Sequence, residues 1–156
     1  FAGCVGLSEV TISESVTKID ESAFNGCNGL DSMYIPGNVT ILNNYAFAGC
    51  KNISNITFEQ GVKTINHYAF EGCSSINKLE FPSSVTYLGY YAFNGCTSVQ
   101  GITFSEGLDG IGNGTFYKCT SLKSVYIPAS VNGIGIGAFG LCSNLESINV
   151  SEENTK

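Results

Sequence analysis

The chain has 156 residues, a net charge of −6 and only seven lysines plus arginines, with 43% hydrophobic and 13% charged residues. That is the size of one domain, too apolar to be disordered, and without the basic footprint that nucleic acid or an anionic membrane surface requires. No apolar run approaches the ~18 residues of a membrane span, and no signal peptide is present, so no membrane insertion is expected.

Along the chain, the first feature is Phe1-Ala2-Gly3-Cys4, which falls in mid-motif and makes the chain read as a fragment of a longer protein. Its Phe and Cys return at Phe24 and Cys27, Phe47 and Cys50, Phe70 and Cys73, Phe93 and Cys96, Phe116 and Cys119, and Phe139 and Cys142, every gap being 23 residues. Phe58, Phe81 and Phe104 keep the same gap, in a column shared with Ile12, Ile35, Ile127 and Val150, so all ten Phe and all seven Cys fall in three columns. Further apolar columns start at Leu7, Val10, Val16 and Ile19. No insertion interrupts them, so residues 1–156 read as one repeat domain of about seven rungs with a 23-residue unit. One unit cannot bury its own apolar residues, whereas stacked units can.

Within a unit the first predicted element is a strand. Ile56 and Phe58 alternate with Asn55, Thr57 and Glu59, the period of a short strand with one face buried. The same pattern places strands at 32–36, 78–82, 101–105 and 124–128, paired in parallel with adjacent rungs ~4.8 Å apart. Pro36, Pro82 and Pro128 end three of them on alternate rungs, an echo at 46 residues, with Glu59 and Ser105 in the rungs between. Next come Ala69, Phe70, Cys73 and Ile76, whose spacing of three to four predicts one short helical or 3₁₀ turn. Gly72 and its equivalents mark a tight turn before each Cys. A polar tail, Ser151 to Lys156, closes the chain.

The motif from Ser84 to Thr97, S-V-T-Y-L-G-Y-Y-A-F-N-G-C-T, followed by S-V-Q-G-I-T-F, resembles the BspA-like leucine-rich repeats, as does I-P-G-N-V-T-I-L-N-N-Y-A-F-A-G-C from Ile35 to Cys50. The resemblance covers essentially the whole chain. It implies a right-handed, α/β-type leucine-rich-repeat solenoid with a parallel sheet on its concave face. It also implies an extracellular or cell-surface location, since such repeats occur on surface and secreted proteins of bacteria and some protists, often as adhesins. The departures are Thr115 in place of the Ala of the Ala-Phe pair, and Lys118 and Leu141 in place of the Gly before Cys; these are expected to loosen or widen the last two turns.

Candidate chemistry is sparse. A column of one thiol per rung lacks the clustered spacing of a metal site, so the cysteines read as reduced, small apolar core residues. His67, the one histidine, lies six residues from Cys73, but its column looks exposed while that of Cys73 faces the core. No cofactor, metal or catalytic residue is expected. Tyr45, Tyr68 and Tyr91 form an aromatic ladder, read as structural rather than as a platform for sugar rings. Glycosylation sequons occur at Asn38, Asn52, Asn55, Asn113 and Asn149.

The expected function is therefore non-catalytic binding, as an adhesion module contacting a host or neighbouring-cell protein or glycan. The outward strand residues carry it: Ser32, Tyr34 and Pro36, then Asn55, Thr57 and Glu59, then Lys78, Glu80 and Pro82, then Gly101, Thr103 and Ser105, then Ser124, Tyr126 and Pro128. Tyr34, Asn55, Thr57, Glu59, Lys78, Glu80, Thr103 and Tyr126 are the predicted ligand-binding residues. Rival readings are a structural spacer and the targeting part of a larger enzyme. Because the chain carries no polar end repeats, end-to-end self-association is also expected.

Overall fold

The computed structural model describes residues 1–154; Thr155 and Lys156 of the polar tail lie outside the described residues. The chain coils into a solenoid in which each rung contributes two strands. The longer ones are the predicted strands: β2 (Ser32–Ile35), β4 (Asn55–Phe58), β6 (Lys78–Glu80), β8 (Gly101–Thr103), β10 (Ser124–Ile127) and β12 (Ser147–Val150). The shorter ones, two residues each, are β1 (Lys18–Ile19), β3 (Ile41–Leu42), β5 (Thr64–Ile65), β7 (Tyr87–Leu88), β9 (Gly110–Ile111) and β11 (Gly133–Ile134). The register is the sequence period itself: Tyr34 pairs Thr57, Glu80 pairs Thr103 and Tyr126 pairs Asn149, all in parallel.

The two columns differ in continuity. The shorter strands make one six-stranded sheet, β1-β3-β5-β7-β9-β11. The longer strands make three two-stranded sheets, β2-β4, β6-β8 and β10-β12. At each split the later strand is followed by a proline. Where Glu59 or Ser151 follows the strand, its N–H donates to the previous rung, to Ile35 O at 3.0 Å and Ile127 O at 2.9 Å. Pro82 and Pro128 fill the same column and have no N–H to offer Phe58 and Phe104. The 46-residue echo in the sequence thus becomes a sheet hydrogen-bonded in pairs of rungs. Pro36 and Pro128 are buried and Pro82 is half-buried, rather than outward-facing, while Glu59 in the same column is exposed.

The expected helical or 3₁₀ turn around the Ala-Phe motif is not formed; among the described residues this segment consists of turns, with no helix. The reason is an alternation in the backbone bonds. The N–H groups of Ala46, Ala48 and Cys50 bond back three residues, but those of Tyr45, Phe47 and Gly49 reach forward to His67, Ala69 and Glu71 of the next rung at 2.7–3.1 Å. Tyr45 and Gly49 also adopt left-handed backbone angles, with φ of 57° and 70°, which interrupts any helical run. Lys118 and Leu141 take the same left-handed conformation, at φ 59° and 55°, where other rungs place glycine. Thr115 is buried and satisfied, its Oγ1 donating to Gly112 O or Gly89 O at 2.9 and 3.0 Å. The widening of the last turns is a few tenths of an ångström: the Phe stack runs at 5.1–5.3 Å from Phe1 to Phe93, then 5.5 and 5.4 Å to Phe116 and Phe139.

That stack is the spine of the core. Its rings lie within 10° of parallel, and the strand phenylalanines meet it edge-on, Phe58 against Phe70 at 5.7 Å and Phe81 against Phe93 at 5.5 Å. The cysteine column runs beside it. Each thiol from Cys27 to Cys142 donates to the Phe carbonyl of the preceding rung at 3.0–3.4 Å. Cysteine is thus a small apolar filler that also supplies a weak donor.

Candidate functional site

All eight predicted ligand-binding residues are exposed and stand on the longer strands or directly after them. The alternation that buries Met33, Ile35, Leu79, Val125 and Ile127 turns their neighbours outward. Tyr34 and Tyr126, 52% and 53% exposed, are the largest of these groups.

The face divides into clusters. In the first, Glu59 accepts a hydrogen bond from the Gly37 N–H at 2.9 Å on one carboxylate oxygen. Hydrogen bonding with Glu59 raises the Tyr34 phenol above its ordinary value, and the same contact, helped by the Gly37 N–H, lowers the Glu59 carboxyl. The second is an exposed ion pair between Lys78 and Glu80, bordering a shallow depression of about 220 Å³ with Asn55, Ile56 and Thr57. Asn55 Nδ2 donates to its neighbour Ser54 at 3.2 Å. Thr103 sits opposite Glu80 across the β6–β8 pair. Tyr126 stands apart, four rungs from Tyr34, roughly 19 Å at the spacing of paired strands. The structure therefore brings Tyr34 to Glu59 and Lys78 to Glu80, and leaves the two tyrosines as separate contact points.

Sequence reasoning missed the residues that complete the Tyr34 cluster. Ile12, Glu14, Gly37 and Asn38 close a groove with Tyr34, Pro36 and Glu59. Glu14 shares its column with Gly37, Gln60, Ser83, Glu106 and Ala129, so nothing in the repeat pattern singles it out. It belongs to the groove because the loop of one rung lies beside the strand ends of the next two.

The aromatic ladder has a different character. Tyr45, Tyr68 and Tyr91 are half-buried and stack on one another at 4.9 and 5.4 Å. The Tyr91 ring lies over Gly114, where a Cβ would come within 2.4 Å of it. The ring faces are thus largely taken, and burial raises the Tyr68 phenol. His67 also serves the scaffold: its Nδ1 accepts the Tyr90 N–H at 3.0 Å and its ring stacks on Tyr90 at 4.6 Å. Asn44 and Asn113 accept the next rung's N–H from the same column, at 3.2 and 2.8 Å. Cys73 instead faces the core and bonds to Phe47, with burial holding its thiol well above the usual range. Among the described residues no group of three or more His, Cys, Asp or Glu is placed to hold a metal ion, and no helix is long and apolar enough to cross a membrane.

The BspA type leucine-rich repeat region matches in six copies, over residues 1–96 and 40–156. The chain belongs to that family. Among solved structures, the pneumococcal vaccine antigen PcpA superposes with a TM-score of 0.80 at 26% identity, over 95% of this chain and 40% of that one. A leucine-rich repeat protein from Bacteroides ovatus gives 0.65 at 25% identity, over 88% and 42%. A leucine rich cell surface protein from Faecalibacterium prausnitzii gives 0.56 at 27% identity, over 97% and 55%. This BspA-type chain thus spans about half the length of these proteins or less. No curated protein matches it.

Proposed function

We propose that this BspA-type chain is a non-catalytic surface or secreted binding module that engages a protein or glycan through its longer-strand face. The observation that carries the reading is the pair Tyr34 and Tyr126. Both are half exposed on rigid strands, in a column that elsewhere holds Thr57, Glu80, Thr103 and Asn149. The fold therefore does not require an aromatic ring there, whereas recognition benefits from one, since tyrosine is enriched among the residues that dominate interface energy. The names of two solved neighbours, a vaccine antigen and a cell surface protein, support a surface location. Probing a glycan and extracellular-matrix-protein array with this chain tests the proposal. Tyr34→Ala or Tyr126→Ala should weaken capture by roughly 1–2 kcal/mol and leave the melting temperature nearly unchanged. Capture that survives both changes but fails when Tyr45, Tyr68 and Tyr91 are replaced would move the function to the aromatic ladder.

A further inference from the structure

The groove beside Tyr34 has a volume of about 530 Å³ and a distinct chemistry. It is lined by the apolar Ile12 and Pro36, by the half-exposed Tyr34 and by the acidic Glu14 and Glu59. We propose that this groove captures a basic side chain, guanidinium or ammonium, of a protein partner. The inference rests on the longer-strand face being the binding surface and gives that surface a ligand chemistry.

Three observations favour a basic occupant. First, the Glu59 carboxylate is fixed in advance by the Gly37 N–H and by its contact with Tyr34. A carboxylate has about four lone-pair sites, so it keeps acceptors for a guanidinium while losing little freedom on binding. Second, the charge is uncompensated. Glu80 on the same face is neutralised by Lys78, whereas Glu14 and Glu59 form no ion pair among the described residues, in a chain of net charge −6. Third, an aliphatic stem fits the apolar lining, and its cationic end can lie against the Tyr34 ring face. An anion would be repelled by two carboxylates. A calcium ion takes six to eight oxygen ligands, and no third carboxylate, histidine or cysteine joins this pair among the described residues.

The test titrates the ¹⁵N-labelled chain with acetylated, amidated tri-arginine and with its tri-citrulline counterpart, which keeps shape and removes charge. The Gly37 amide, bonded to Glu59, is the reporter. Tri-arginine should shift it saturably and tri-citrulline should not. Glu59→Gln should weaken tri-arginine binding about tenfold, while Glu146→Gln, at an exposed carboxylate near the other end of the solenoid, should leave it within about twofold. Equal binding of the two peptides, or equal losses from the two glutamate changes, overturns the inference. So does a Gly37 shift with calcium chloride that tri-arginine cannot reproduce. The array separates this from the wider reading: if Tyr34→Ala abolishes capture of a ligand that Glu59→Gln leaves untouched, the face binds and the basic-side-chain groove is refuted. If neither change matters and Tyr126→Ala is equally silent, the reading of the face fails with it.

Discussion

Replacing Phe70 by alanine tests whether stacked rings hold the solenoid together. Phe70 has no exposed surface and touches three other rings: Phe47 at 5.1 Å, Phe93 at 5.2 Å and Phe58 at 5.7 Å. Truncating a buried Phe costs about 3–5 kcal/mol, a figure that includes the cavity left behind, and each ring pair contributes about 0.5–1.5 kcal/mol beyond its area. With three pairs broken and neighbours fixed by inter-rung hydrogen bonds, the cost should lie at or above the top of that range, near 5 kcal/mol. Phe139 is the internal control. It is half-buried and stacks on one ring, Phe116, at 5.4 Å, so Phe139→Ala should cost about 2 kcal/mol or less. Urea unfolding followed by circular dichroism reads both. Because repeats unfold partly as local units, amide exchange at Ala46, Ala69 and Ala92 should confirm that loss of protection centres on Phe70. Equal losses for the two variants would refute the reasoning, since the rungs would then be held by backbone ladders and not by the rings.

Other consequences are as direct. In this chain Cys4 is exposed and the remaining six cysteines are buried, with burial pushing the Cys50 thiol up to about 11. A thiol reagent should therefore modify one cysteine quickly and the other six only after unfolding; two or more disulfides by mass spectrometry would contradict the core ladder. His67→Asn should be nearly neutral in thermal melts, because Asn44 and Asn113 make the equivalent bond. His67→Ala should cost about 1 kcal/mol, and comparable losses for both would give the imidazole a role of its own. The Tyr34–Glu59 contact has a signed pH dependence. Glu59 titrates low when folded, so its contribution is present above the unfolded carboxylate range and lost as pH falls through the folded value. Tyr34 titrates high, so its contribution is present below the ordinary phenol value of 10.0 and lost as pH rises through the folded one. In Glu59→Gln the Tyr34 ring resonances should titrate at lower pH; an unchanged midpoint would mean the two do not interact.

The 23-residue period determined most of the architecture. Once Phe and Cys recur without a slip, residue i must lie beside residue i+23, which fixes the parallel register, the Phe and Cys ladders and the outward position of Tyr34 and Tyr126. A period gives neighbours but not backbone bonding, and there the tertiary structure decided. The Ala-Phe segment has a helix-like spacing, yet alternate N–H groups bond across rungs, because left-handed angles at Tyr45 and Gly49 turn them outward. The second strand column at Lys18–Ile19 and its copies is two residues long, too short to show an alternation in sequence, and exists only because six copies pair. The prolines were visible as an echo at 46 residues; that the sheet divides before the strands ending at Pro82 and Pro128 was visible only in the strand pairing. The groove at Tyr34 joins Glu14 to Glu59 across rungs, from two different columns. Repetition conceals such a site, because the period places each residue beside the copies in its own column and says nothing of which columns meet across rungs.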